Sequence, residues 1–161
     1  TADFNSWPLF LPYVLLYAAI IGACAGSTGG GMKVIRILLI FKQGFREVQR
    51  LIHPRAVIPI KLGGQRVSDR IVESVWGFFA VYVMVFLIML LALLATGLDI
   101  VTAFSAVGAC INNLGPGLAE VAVTYGQLPA AAKWILCFAM LLGRLEIFTL
   151  LVLFTPMFWK R

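Results

Sequence analysis

The sequence predicts an all-α integral membrane protein: a glycine-broken spanning helix, a second spanning helix, a short re-entrant helix with an extended strand behind it, and a closing helix. Three observations carry this expectation. Of 161 residues, 61% are hydrophobic and only 12% charged, about half the charged share of an ordinary soluble domain. Three apolar stretches, at residues 7–41, 75–95 and 129–159, reach or exceed the roughly 20 residues that span a bilayer. Nine of the thirteen Lys and Arg fall within residues 33–70. Despite a net charge of +6, that is the pattern of a cytoplasmic loop and not of a nucleic-acid-binding face.

The first stretch, within residues 1–41, has no charge from Trp7 to Met32, and its apolar character resumes at Val34. Its middle is broken. Gly22, Gly26, Gly29, Gly30 and Gly31 fall among ten residues, and each costs about 1 kcal/mol in a helix interior. Unwinding is expected at residues 22–31, with Ser27 and Thr28 helping to satisfy the freed backbone groups. The alternative is close helix packing through small residues. The segment has the glycines and lysine of a phosphate-binding loop, but Met32 separates Gly31 from Lys33, no Ser or Thr follows the lysine, and an apolar helix precedes it. Nucleotide binding there is not expected.

Residues 42–74 form a basic loop. From Lys42 to Arg70, the basic Lys42, Arg46, Arg50, Arg55, Lys61, Arg66 and Arg70 stand against Glu47 and Asp69, which places this loop in the cytoplasm and the N-terminus outside. After two further crossings the C-terminal Lys160 and Arg161 also end in the cytoplasm, as the same rule requires. His53, alone in the basic loop, is expected to be solvated.

Residues 75–96 read as a plain spanning helix, uncharged from Val75 to Ala95 and with Gly77 as the only glycine of that stretch. Asp99 then caps an apolar segment, residues 100–110, of roughly 17 Å as a helix, within an expected pore-helix span of 99–111. It is too short to cross the membrane and too apolar for an aqueous loop, so a re-entrant helix is the economical solution. Asn112, Asn113, Leu114, Gly115, Pro116 and Gly117 follow. Glycine opens backbone conformations closed to other residues, and proline removes a donor, so the segment presents carbonyl oxygens. Selecting a dehydrated alkali cation requires such carbonyls at membrane depth, after a short helix whose C-terminal dipole faces the ion. The alternative for residues 114–117 is an ordinary extracellular turn.

The closing helix, residues 129–159, opens on Pro129 and ends at the interfacial Trp159. Arg144 lies at its midpoint, where a charge is costly unless it faces water or a partner. Glu146 is two residues away and does not share its face; an ion pair with another part of a larger assembly is the alternative to a pore role. Cys24, Cys110 and Cys137 lie in apolar surroundings without metal-ligand spacing and are expected to be buried free thiols. Glu120, beyond the strand, would concentrate cations at an outer mouth. No residues are arranged for nucleophilic or acid–base catalysis, so an enzyme is not expected. A secondary transporter with broken helices around a midplane site for a small solute is the alternative function.

Residues 25–33 (Ala-Gly-Ser-Thr-Gly-Gly-Gly-Met-Lys), 112–117 (Asn-Asn-Leu-Gly-Pro-Gly) and 143–148 (Gly-Arg-Leu-Glu-Ile-Phe) resemble the Trk/Ktr/HKT superfamily of potassium transporters, most closely its bacterial TrkH-type branch. The resemblance implies four helix–pore-loop–helix repeats, potassium-channel-like, around one pore. This chain would be the C-terminal third: the last, broken helix of repeat three and all of repeat four. It implies potassium uptake across the bacterial inner membrane, channel-like or as a symporter, with K⁺ as the transported ion and no covalent cofactor. K⁺ would sit at the backbone carbonyls of Asn113, Leu114 and Gly115, with Pro116 beside them. Gly22, Gly26, Ser27, Thr28, Gly29, Gly30 and Gly31 would form an intramembrane gate loop, and Arg144 a gating charge beneath the filter. The implied partners are a second copy in a homodimer, a cytoplasmic nucleotide-binding TrkA-type regulatory ring, and membrane lipids, with no nucleic acid.

Overall fold

The structure, a computed structural model, describes residues 7–8, 10–22, 24, 30–145, 147 and 159. The first apolar stretch is two helices, α1 (Phe10–Ile21) and α2 (Val34–Ile52). Gly22 (φ +78°) and Gly31 (φ +84°) flank the interruption in left-handed backbone that glycine adopts without steric cost. A Cβ on Gly22 would lie 3.1 Å from the Gly30 carbonyl oxygen, so the two ends of the break close on each other. Gly26, Ser27, Thr28 and Gly29 lie outside the described residues.

Helix α2 continues past Phe41, where the sequence had placed the start of the basic loop. Residues 42–52 keep Phe45, Val48 and Ile52 at helical spacing, and proline is absent until Pro54. The connection is therefore residues 53–68, because α3 (Asp69–Leu94) also opens earlier than position 75. Within it, β1 (Lys61–Leu62) and β2 (Gln65–Arg66) pair antiparallel across Gly63 (φ +56°) and Gly64 (φ +85°), the positive dihedrals that a tight two-residue hairpin demands. Lys42 Nζ donates to the Lys61 carbonyl at 2.6 Å, which ties the hairpin to α2.

Two further contacts join α2 to α3. Arg46 Nη1 meets Asp69 Oδ1 at 2.6 Å, with Arg46 buried, and the Arg36 guanidinium lies 4.1 Å from the Phe78 ring centroid, within cation–π range. Arg50 bonds Glu47 within α2 at 3.3 Å. Several basic residues of this region thus do local structural work, and the buried Arg46 has no surface to offer a partner. His53 caps α2 and is exposed.

Helix α3 spans roughly 39 Å at 1.5 Å per residue. Its most apolar 18-residue window has a mean hydropathy of 2.8 and is only 28% buried within the chain; the core helix of a soluble protein would be mostly covered. Among the described residues it is the one helix long and apolar enough to cross a bilayer unaided. After it come α4 (Ile100–Ile111), a single 3-10 turn at Ala119–Val121, and α5 (Ala130–Arg144). The expected closing helix does not run unbroken from 129 to 159: α5 ends at Arg144, and Leu145 takes a non-helical φ, ψ of −86°, 6°. Gly143, a poor helix former, is the penultimate residue. Residues 148–158 lie outside the described residues.

The core sits around α4. Helices α1, α3 and α5 all pack on it, and nine of its twelve residues are buried. A helix of only about 18 Å therefore occupies the centre of the fold while longer helices surround it. Of the three cysteines, Cys110 on α4 is buried, whereas Cys24 and Cys137 are exposed on this chain. Cys137 shares α5 with Leu136 and Ala139, which face the core, and so falls on the opposite face.

Candidate functional site

Asp99 begins the site. Its Oδ2 accepts from the Val101 N–H at 3.0 Å, satisfying one of the orphan donors at the start of α4. At the other end, the Asn113 N–H bonds the Cys110 carbonyl at 3.1 Å and the Leu114 N–H bonds the Ala109 carbonyl at 2.9 Å. With Asn113 at φ +55°, this is a Schellman closure in which asparagine takes the place usually held by glycine. The carbonyl end of α4, where the helix dipole is negative, thus lies at the root of residues 113–117.

From that root the chain is irregular and runs back beside α4 to Ser105. Asn113, Leu114, Gly115 and Pro116 are all exposed. Gly115 has φ +103°, and nothing lies within 4 Å of a Cβ built on it; the backbone requires glycine there, not the packing. The return is anchored by Ser105, which is fully buried: its Oγ accepts from the Leu118 N–H at 2.9 Å and lies 3.3 Å from the Leu118 carbonyl oxygen. Glu120 is exposed in the turn that follows. Ser105→Ala leaves the Leu118 N–H buried without that acceptor, so a loss of about 1–3 kcal/mol is expected. Thermal unfolding of the full-length protein in detergent measures it; an unchanged midpoint means that Ser105 does not hold the strand.

Beneath the strand three glycines from two separate segments converge on the end of α4. A Cβ on Gly30 would lie 2.7 Å from Asn113 Nδ2 and 3.0 Å from the Asn112 carbonyl oxygen. One on Gly31 would overlap Asn112 Oδ1, and one on Gly143 would overlap the Ile111 carbonyl oxygen and lie 2.8 Å from Asn113 Nδ2. The buried Asn112 side chain donates from Nδ2 to the Gly108 carbonyl at 2.7 Å, and Tyr82 of α3 reaches its Oδ1 at 3.4 Å. The C-terminal end of the glycine break, the base of the strand and the end of α5 are therefore one packed unit. Arg144, the residue after Gly143, is exposed at the C-terminus of α5, where the helix dipole favours a cation. Of the expected site residues, Gly30 meets Asn113, Gly31 meets the neighbouring Asn112, and Gly143 precedes Arg144 at the same place; Gly22 lies away from the strand, at the start of the break.

Sequence reasoning assigned no role to Ser105, Tyr82 or Tyr125. The Tyr125 hydroxyl donates to the Gly115 carbonyl at 2.7 Å. No pattern in the sequence marks these residues, because each reaches its partner across a turn or from another helix. Only Ser105, a hydroxyl in the middle of an apolar helix, carries a local signal.

The TrkH family model, described as cation transport protein, matches residues 1–161. The chain belongs to the TrkH family. It is 62% identical over 160 residues to the Trk system potassium uptake protein TrkH of Halomonas elongata, and 61% identical to that of Escherichia coli K12. In both cases 99% of this chain matches 33% of the relative, so the chain spans about a third of the length of the TrkH proteins it matches. The crystal structure of the potassium transporter TrkH from Vibrio parahaemolyticus superposes with a TM-score of 0.90 at 60% identity, covering 99% of this chain and 34% of that one. The all-α membrane-transporter architecture is thus shared with TrkH, a family of transporters and not of enzymes.

Proposed function

We propose that this chain supplies one filter strand and the adjoining gate of a bacterial inner-membrane potassium uptake subunit, with K⁺ held by the backbone carbonyls of Asn113, Leu114 and Gly115 beside Pro116. The observation that carries the reading is the exposed irregular segment, residues 113–116, that follows a short, centrally buried helix. An exposed row of carbonyls at the negative end of a helix suits a desolvated monovalent cation. Three similar strands from the remaining two-thirds of a TrkH-length subunit would complete the ring. The Gly115 carbonyl accepts one hydrogen bond and keeps a second lone pair for the ion.

The glycine-rich segment, residues 22–31, and Arg144 form the gate in this reading. Their support is the contact of Gly30, Gly31 and Gly143 with the carbonyl end of α4. The exposed basic side chains of residues 53–70 serve as the cytoplasmic face toward a regulatory ring and anionic lipid, with the N-terminus outside, and the subunit pairs with a second copy. The charge pattern supports that orientation.

Gly115→Ser tests the filter. In the full subunit a side chain at φ +103° forces the strand to shift, so K⁺ preference over Na⁺ is expected to fall by about tenfold, the effect of roughly 1.4 kcal/mol at the ion, while membrane insertion is kept. Reversal potentials in mixed K⁺ and Na⁺ give the answer. Values equal to the parent's sink the filter assignment.

A further inference from the structure

The middle of the exposed strand is held by little. Its root is fixed by the Leu114 N–H bond to Ala109 and its far end by the Gly117 N–H bond to Val121 at 3.1 Å. Between them, Pro116 has no N–H to give, and Gly115 has open space around its Cα and a conformational range wider than any other residue's. Among the described residues, the hydrogen bond that reaches a carbonyl of residues 114–116 comes from Tyr125, at 2.7 Å. A carbonyl that must face an ion in a fixed direction needs such a restraint, because a freely rotating glycine peptide presents its oxygen only part of the time.

Tyr125 is built to supply it. Its ring packs against the buried core while the hydroxyl projects to the strand, and it lines an open pocket of about 480 Å³ with Cys110, Met140 and the strand's own residues 113–116. The turn that carries it is pinned as well: the Gly126 N–H bonds Thr124 Oγ1 at 3.1 Å, the Leu128 N–H bonds the Tyr125 carbonyl at 3.3 Å, and Lys133 of α5 reaches the Gly126 carbonyl at 2.6 Å. The donor is therefore carried on a short braced turn and not on a free loop.

We propose that Tyr125 is a positioning residue for ion selection: its hydroxyl sets the orientation of the Gly115 peptide and so the geometry of the carbonyl ring. The inference rests on the filter reading above, with Tyr125 acting through Gly115 and not touching the ion. Tyr125→Phe keeps the ring and its packing and removes only the donor. In the full subunit, K⁺ over Na⁺ permeability is expected to fall about fivefold, the factor that one lost neutral hydrogen bond supplies, at an unchanged thermal midpoint. Substituting a ring-fluorinated tyrosine, nearly isosteric with a stronger hydroxyl donor, is expected to raise selectivity, a response that a packing role would not produce.

The experiment measures reversal potentials for Tyr125→Phe, the fluorinated variant and Gly115→Ser side by side, with thermal unfolding of each. Lowered selectivity in Tyr125→Phe, with raised selectivity in the fluorinated protein, establishes the positioning role. Parental selectivity in Tyr125→Phe beside lowered selectivity in Gly115→Ser overturns it and leaves the filter standing. Parental selectivity in both overturns the filter and the positioning role together. If Tyr125→Phe fails to fold, the fluorinated variant decides: a selectivity above the parent's supports the hydroxyl, and one at or below it overturns the proposal.

Discussion

Gly143→Ala destabilises the subunit, against the sign that helix propensity alone predicts. Inside a helix, replacing glycine by alanine favours folding by about 1 kcal/mol. At Gly143, however, the new methyl overlaps the Ile111 carbonyl oxygen and presses on Asn113 Nδ2. Neither neighbour yields easily. Ile111 is fully buried, and its backbone lies between the Cys110 carbonyl and the Asn113 N–H that the closure of α4 joins. Overpacking typically costs about 1–3 kcal/mol, and a clash with a fixed backbone atom belongs at the upper end, so the net loss is expected to be about 2 kcal/mol. Gly44→Ala is the matched control: Gly44 lies within α2 and a Cβ there meets nothing within 4 Å, so only the propensity gain remains. Thermal unfolding of both variants in detergent is expected to move in opposite directions. A rise for Gly143→Ala would mean that α4 and α5 are not held at glycine distance.

That contrast shows what the sequence carried and what it did not. Fold class was legible because it depends on local composition: the charge-free run of α3, the cap at Asp99 and the shortness of the apolar segment behind it are all read along the chain. The glycine cluster likewise marked a break, since each glycine adds its own helix penalty. Boundaries were less legible. Helix α2 continues into the basic residues because amphipathic spacing persists after the charges begin, and an average over hydropathy hides this. The end of α5 was missed because an apolar run gives no reason to stop, and the glycine that weakens it was valued only as part of a family motif. Tertiary partners were not legible at all. Gly30, Gly31 and Gly143 are alike in being small where the end of α4 needs room, and the sequence distance between them gives no hint that they meet. The bonds from Tyr125 to Gly115 and from Ser105 to Leu118 join residues ten and thirteen apart across a reversal of the chain. No periodicity spans such a distance.

Shortening residues 26–31, or replacing Arg144 with alanine, is expected to raise potassium flux through the full subunit while leaving selectivity nearly unchanged. Two observations give the argument its place: Gly30 and Gly31 lie against Asn112 and Asn113, and Gly143 sets the chain at the same carbonyl end one residue before Arg144. A guanidinium 4 Å from a permeating cation repels it by about 4 kcal/mol at an effective dielectric of 20. At about 1.36 kcal/mol per decade of rate, a third of that repulsion already gives a tenfold change. A loop at the same depth adds a steric barrier. Neither change touches the carbonyls of residues 113–115, so the ratio of K⁺ to Na⁺ is expected to stay within about twofold of the parent while the rate rises tenfold or more, a shift of roughly 1.4 kcal/mol in the barrier. The competing view makes Arg144 a structural charge at the end of α5, paired with a carboxylate elsewhere in the subunit. Arg144→Ala then strands a buried carboxylate at a cost of about 3–5 kcal/mol, expression falls, and flux per folded molecule is unchanged or lower. Rubidium uptake in liposomes, normalised to correctly folded protein, separates the two. Raised uptake in both variants identifies loop and arginine as parts of one gate; lowered uptake in both returns the glycines and the arginine to helix packing. If Arg144→Ala alone fails to fold, Arg144→Gln retains a polar partner for the carboxylate, and a faster flux in that variant still assigns the barrier to charge.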